Sequence, residues 1–413
     1  DRRLESICMK MMAKKAEERF QSMTEIVHVL DRFLADPEAE EATPFDELSI
    51  AEHDTGAVVA AGGNLARGLA ILALVVVDFR WAVASGTSPL GWLHWIIERL
   101  DGRAAALLVM LFGMGASFAA QRAWRTADRS ELRRVRHATL IRAAFLFVCG
   151  YAFIQLWPGD LLHYCGAYLA IGAMLLVASG RVLWTFAILL VLLFPGLFIG
   201  LQAAGVGYNR DAHLDVWASS FGGVVRDFFF NGYHPIVPWA SFFLVGMWLG
   251  RLNLHKRQTQ YRIFWIGLAA AFATELLSAL NIMILSTLVP ESEKFDYGNM
   301  VSLFGTTPWP PLPIFMVAAG STAIAVVAAC LIASGRRVGK HVRNALADCG
   351  RLAVTLYVIH VIVGMGSLRL AGRLGGQTLG FAVISALVMN DLLIAFAVLW
   401  SKWFRRGPVD GLI

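Results

Sequence analysis

Ten stretches of this chain, beginning near residues 65, 104, 140, 161, 182, 235, 262, 312, 351 and 379, are apolar for long enough to cross a hydrocarbon core of about 30 Å. Backbone that crosses lipid has no water to bond with, so such stretches fold as helices that satisfy their own N–H and C=O groups. The expected architecture is therefore all-α: a polytopic membrane bundle of about ten transmembrane helices. Composition agrees, with 57% hydrophobic and 16% charged residues and a mean hydropathy of +0.60, more apolar surface than one water-soluble core can hide. A formal charge of +6 and a pI near 9.2 would suit a nucleic-acid binder. The cations fall in short loops between apolar runs rather than on one face, so no nucleic-acid partner is expected.

Those loop cations alternate. One set of connections holds Arg122, Arg125, Arg129, Arg133, Arg134 and Arg136, then Arg181, then Arg251, Lys256 and Arg257, then Arg336, Arg337, Lys340 and Arg343, with Lys402, Arg405 and Arg406 in the tail. The other set holds only scattered cations such as Arg99, Arg103, Arg210, Arg226, Lys294 and Arg373. The positive-inside rule places both ends of the membrane domain on the cytoplasmic side. Gly196 with Gly200 and Gly246 with Gly250 recur at four-residue spacing, which lets helices approach closely in lipid.

Residues 1 to 35 are a separate piece. Leu4, Ile7 and Met11, then Ile26, Val29, Leu30 and Phe33, fall at helical spacing among charges, which predicts a cytoplasmic pair of short amphipathic helices. The stretch AKKAEERFQSMTEIVHVLDRFL resembles the C-terminal end of bacterial serine/threonine protein kinases, and Arg19 matches the arginine that makes a structural ion pair there. The kinase parts that handle ATP all lie upstream of such a tail, so no kinase activity is expected from this chain alone. Residues 36 to 61 are acidic and turn-rich and read as a linker to the membrane domain, residues 62 to 413. No cleavable signal peptide is read at the polar start, and the first residue, Asp1, leaves room for a longer parent chain. The five cysteines (Cys8, Cys149, Cys165, Cys330 and Cys349) form no C-x-x-C pair and suit small buried side chains, with no metal expected.

Six strings in the membrane domain carry a second resemblance: NLARGLAILALVVVDF near 64, LDGRAAALLVMLFGMG near 100, LWPGDLLHYCGAYL near 156, NGYHPIVPWASFFLVGMWLGRLNL near 231, GRLAVTLYVIHVIV near 350 and FRRGPVDGLI at the end. In order and spacing these resemble the YeiB-like proteins and the heparan-alpha-glucosaminide N-acetyltransferase group of transmembrane acyltransferases. The resemblance implies a helix bundle in the bacterial cytoplasmic membrane. It would take an acyl group from cytoplasmic acyl-CoA, acetyl-CoA above all, to an amine or hydroxyl, a saccharide or other small acceptor, on the far side. A second copy of the chain and an upstream kinase domain in the same polypeptide are the protein partners left open.

Acyl transfer from a thioester needs a base for the acceptor's proton or a nucleophile for the acyl group. His94 lies in the loop region where the lysosomal relative has its catalytic histidine, with Asp101 and Arg103 following. In WLHWII it also reads as an interfacial histidine among aromatics. Asp160 and His163 lie three residues apart, a spacing that shares one helix face, and Asp160 doubles as a helix cap. His360 falls within a span, where an imidazole needs a partner, and a satisfied buried histidine is the plainer reading. Asp78 stands where the first helix of relatives usually ends in Asn or His. Glu275 and Asp391 sit within spans, where an ionised acid costs on the order of 3 kcal/mol, so each should face the interior, be paired or be protonated. Arg67 and Arg142 are inner-side candidates to meet those acids or, with Arg103, coenzyme A phosphates, although Arg142 suits simple anchoring. Two other functions stay open: a transporter, motivated by Glu275 and Asp391, and a sensor or anchor for a kinase, motivated by residues 1 to 35.

Overall fold

The computed structural model describes residues 11, 20, 22–35, 44–85, 91–126, 128–154, 156–205, 221–288, 303–335, 339–404 and 406–411. Two compact units divide the chain, Asp1–Ala57 and Val58–Ile413. In the first, α1 (Met23–Ala35) starts where Ser22 Oγ accepts the Glu25 backbone N–H at 3.2 Å, the first half of a Ser-x-x-Glu capping arrangement. The other helix of the expected pair, and Arg19, lie outside the described residues. The expected linker, 36 to 61, is helical from Pro44 onward, within helix Pro44–Val83. Proline suits a first helical position because it has no N–H to leave unpaired, and the Glu, Leu and Ala residues that follow favour helix.

In the larger unit every one of the ten apolar runs lies in a helix. Among the described residues the isolated bridge between Ala84 and Gln377 is the only β pairing. Seven are long and apolar enough to cross a membrane: α2 (Val58–Val83), the pair α3 (Gly91–Leu100) with α4 (Arg103–Thr126), α7 (Gly180–Ala203), α9 (Arg257–Leu288), α10 (Pro313–Ser334), α12 (Ala353–Leu370) and α13 (Leu379–Trp400). The remaining three are α5 (Arg129–Phe153), polar over its first two turns, and the short helices α6 (Leu162–Met174) and α8 (Ile236–Leu249). At 13 and 14 residues, α6 and α8 reach only about 20 Å. They need no more, because most residues of both are buried against protein, and the lipid-crossing length applies to helices that lipid surrounds.

Backbone contact sets two crossings. A Cβ on Gly113 of α4 would fall on the Phe243 carbonyl, and one on Gly246 of α8 on that of Met110. Around this contact Ser117 Oγ donates to the Met247 carbonyl at 2.7 Å and Gln121 Nε2 to that of Gly250 at 3.0 Å. The GMWLG spacing is thus a packing seam, as its small residues suggest. Gly196 and Gly200 have nothing within 4 Å of an added Cβ, so the GLFIG spacing packs no helix here. The second crossing joins α2 to α11 (Lys340–Arg351), where a Cβ on Gly68 would strike the Leu346 carbonyl and one on Gly350 that of Asn64.

Beside this crossing the C-terminal turn closes the bundle. Asp410 accepts the Val354 and Thr355 backbone N–H groups at 3.2 and 3.0 Å and the Thr355 hydroxyl at 2.6 Å, while Trp400 Nε1 donates to the Arg406 carbonyl at 2.9 Å. Leu352, at the cap position of α12, has no side chain able to do this. Asp410→Ala is therefore expected to lower stability by about 1–2 kcal/mol, read as a reduced thermal midpoint of the detergent-solubilised chain, whereas Asp348→Ala, which loses a partly exposed ion pair with Arg351, would leave it within about 1 kcal/mol.

Candidate active site

Two acid–imidazole pairs lie side by side in the core of the larger unit. Asp160, fully buried just ahead of α6, receives His163 Nδ1 at 2.8 Å, the His163 backbone N–H at 3.1 Å and the Tyr357 hydroxyl at 2.9 Å. Asp160 thus holds a first-turn N–H of α6 from one residue ahead of its cap position, Leu161. Three donors on one carboxylate mark it as the acceptor, so Nδ1 carries the hydrogen and Nε2 keeps its lone pair. Tyr357 also accepts the Leu161 backbone N–H at 2.8 Å, and its ring stands edge-on to His360 with centroids 4.8 Å apart. His360 Nε2 meets Asp78 Oδ2 at 3.1 Å, and its Nδ1 has no hydrogen-bond partner among the described residues.

Local structure aims these groups. His360 opens a π-helical turn (His360–Met365) inside α12, a wider turn that shifts the side chains after it relative to a regular helix. Asp78 lies ten residues beyond Gly68 on α2, and His360 ten beyond Gly350. At 1.5 Å per residue Asp78 stands about 15 Å along α2 from Gly68, whereas His360 follows the break at Leu352 between α11 and α12.

Three spaces adjoin the network. His163 borders a cavity of about 150 Å³ walled by Phe147, Tyr151, Tyr164, Phe228 and Tyr233 among others. Asp78 borders a narrow cleft with Trp81, Trp157, Tyr233, His234 and Trp309. Beyond it a polar vestibule of about 490 Å³ is lined by Arg80, Glu98, Arg99, Asp101, Arg103, Glu275 and Thr306. Tyr233 belongs to both the His163 cavity and the cleft, and Trp81 and Trp309 to both the cleft and the vestibule, so the three spaces adjoin in sequence. His234 is held neutral, its pKa pushed down to about 3 chiefly by burial and further by the neighbouring His163. Its ring packs edge-on to Trp239 at 4.6 Å and its carbonyl accepts the Tyr168 hydroxyl at 2.5 Å.

Of the residues singled out in the sequence, Asp160, His163, His360 and Asp78 come together. His94 does not join them. It sits partly exposed on α3, bonded at 3.0 Å to Glu98 and flanked by the exposed Trp92 and Trp95, while Asp101 takes Arg80 and, at 3.2 Å, Trp81 Nε1. Glu98 lies 3.7 Å from Arg80, so His94 reaches Asp101 only through two intermediaries. Glu275 is paired at the vestibule wall, with Arg99 at 2.6 Å, Thr306 at 3.1 Å and Arg103. Asp391 departs from the expectation of an interior or paired acid: it is exposed on α13 with no partner among the described residues. Glu275 lines the vestibule, and Asp391 lines none of the three spaces described above. The three arginines expected to gather on coenzyme A stand apart: Arg67 bonds Asn64 Oδ1 at 3.2 Å with Asp410 as its charged neighbour, Arg103 is committed to Glu275, and Arg142 lies exposed on α5.

Tyr357, Tyr233 and His234 were missed as site residues, although each lies within one of the six strings quoted above, Tyr357 three residues before His360. Hydroxyl and ring partners drawn from distant helices leave no short-range signature.

Two family models match the chain. Residues 64–282 match heparan-alpha-glucosaminide N-acetyltransferase, catalytic, and residues 247–413 match a protein family of unknown function, DUF418. No curated protein matches it. The apolar helices make it a multi-pass membrane protein. As the first match spans more than half of its length, the chain belongs to the heparan-alpha-glucosaminide N-acetyltransferase catalytic-domain family.

Proposed function

We propose that this protein is an acyltransferase of the bacterial cytoplasmic membrane, carrying an acyl group from cytoplasmic acyl-CoA to an amine or hydroxyl of an extracytoplasmic saccharide. One observation carries the reading: His163, its Nδ1 tied to a buried carboxylate, borders a cavity large enough for a short acyl group. Carboxylate and imidazole arranged this way are the orienter and base of acyl-transfer sites generally.

In the proposed reaction His163 Nε2 takes the proton as the acceptor's nitrogen or oxygen attacks the thioester carbonyl carbon. The tetrahedral oxyanion then expels the coenzyme A sulfur as the C–S bond breaks, and the imidazolium returns the proton to the thiolate. Asp160 holds the tautomer and stabilises the transient positive charge. The Asp78–His360 pair, at the cleft between cavity and vestibule, positions the acceptor. Mixed charges with Trp81 and Trp309 at the rim suit a ligand rich in hydroxyl and amino groups. With the positive-inside orientation the vestibule faces outward, the side from which the acceptor approaches.

The test is transfer of label from acetyl-CoA on one side of proteoliposomes to amino sugars on the other, with coenzyme A binding measured separately. His163→Ala is expected to lower transfer by roughly 10²–10⁴-fold with binding within about twofold of wild type. Unchanged transfer in this variant, or no coenzyme A binding by the wild type, would overturn the assignment.

A further inference from the structure

The cavity beside His163 is walled by rings from three separate elements. Tyr164, on α6, stacks on Phe228 with centroids 5.7 Å apart, and Phe228 also stacks on the His163 ring at 6.2 Å. Phe147, on α5, meets Phe228 edge-on at 5.8 Å and stacks on Tyr151 at 6.2 Å. Phe228 itself belongs to a π-helical turn (Asp227–Asn231) that continues the short helix Phe221–Arg226, ahead of α8. Asp227 also borders the space and is engaged within its own segment, by Asn231 Nδ2 at 3.4 Å and Arg226 Nε at 3.6 Å. On its outer side the wall is one ring thick, because Phe228 touches Phe147 and Phe229 and both of these are exposed.

A space of about 150 Å³ matches the size of an apolar cavity that binds benzene, so about six carbons fit where an acetyl group would fill only part. Walls made mostly of aromatic rings give water few partners and suit an alkyl chain. We infer, resting on the acyl-transfer reading, that this cavity receives the donor's acyl chain, takes chains of up to about six carbons, and owes that limit to Phe228. Each methylene that enters strengthens binding by up to about fourfold. Growth stops at Phe228, because a longer chain has to displace a ring packed against His163, Tyr164, Phe147 and Phe229 together.

The experiment is titration of the full-length chain in phosphatidylcholine nanodiscs with S-alkyl coenzyme A thioethers, ethyl to decyl, which bind without transferring. Heats from empty nanodiscs are subtracted, and transfer is assayed separately with the matching acyl-CoA series. Wild-type affinity is expected to rise about two- to fourfold per methylene as far as hexyl and to fall at least tenfold by decyl. Phe228→Ala should carry the rise on to decyl, shifting the decyl-to-hexyl affinity ratio at least tenfold. Phe147→Ala, which removes the ring backing Phe228, should shift it the same way by less. Phe221→Ala lies exposed in the same segment and outside the cavity wall, so its series should match wild type. Affinity independent of chain length, a limit already reached at ethyl, or Phe228→Ala and Phe147→Ala series that superimpose on wild type would each overturn the inference. The expected binding series in a protein that transfers no acyl group would uphold the chain pocket and overturn the catalytic reading instead.

Discussion

Asp160→Asn is expected to lower acyl transfer by about 10³–10⁴-fold while leaving coenzyme A binding within about twofold. Asparagine preserves the shape but offers one acceptor oxygen, whereas Asp160 takes the His163 backbone N–H and Nδ1 on Oδ2 and the Tyr357 hydroxyl on Oδ1, so one side must face these donors with an NH2 group. What changes is the partner of His163 Nδ1. An amide in place of the carboxylate no longer obliges that nitrogen to carry the hydrogen, so the lone pair needed at Nε2 is lost from much of the population. An amide also offers no charge to the imidazolium that forms during transfer. Tyr357→Phe removes the third donor to Asp160 and the acceptor of the Leu161 N–H but leaves the tautomer intact, so a loss of at most about tenfold is expected. Steady-state transfer with radiolabelled acetyl-CoA, alongside equilibrium binding, separates these effects. Equal losses in the two variants would contradict the proposed division of roles.

Gly350→Val is expected to be the most disruptive single change in the fold, costing more than about 4 kcal/mol and preventing recovery of a monodisperse protein. Its Cβ would land on the Asn64 carbonyl, which belongs to the backbone of α2 and cannot rotate aside as a side chain can. Gly68→Val strikes the same crossing from the other helix, at the Leu346 carbonyl, and should behave alike. Separating the two helices there would also shift Asp78, on α2, against His360, on the α12 that follows α11. Gly196→Val and Gly200→Val provide the control, since open space surrounds both positions. Size-exclusion profiles and thermal midpoints should place the first pair far below wild type and the second pair beside it. A Gly350→Val protein as stable as Gly196→Val would show that the crossing is not held by backbone contact.

The membrane bundle was legible because lipid enforces a local rule. Each span must be apolar and helical over its own length, so α2, α7, α10 and α13 can be read from composition alone. The spans' depth and number were less legible. α6 and α8 are short because neighbouring helices take the place of lipid around them, a fact about packing that no window of residues contains. The same limit governs the site. Asp160 with His163 could be read together because three residues apart on one helix means one face. His94 and Asp101 are close in sequence, yet each found a nearer partner in Glu98 and Arg80.

By itself the sequence determined a helical, lipid-embedded chain and one acid–imidazole pair, since both follow from interactions over a few turns. Only the tertiary structure decided that Asp78 meets His360 across 282 residues, that Tyr357 joins that pair to Asp160 from 197 residues away, and that Asp391 faces outward. Which faces of two helices meet depends on where glycines let backbones touch, and that geometry exists only once the helices are packed.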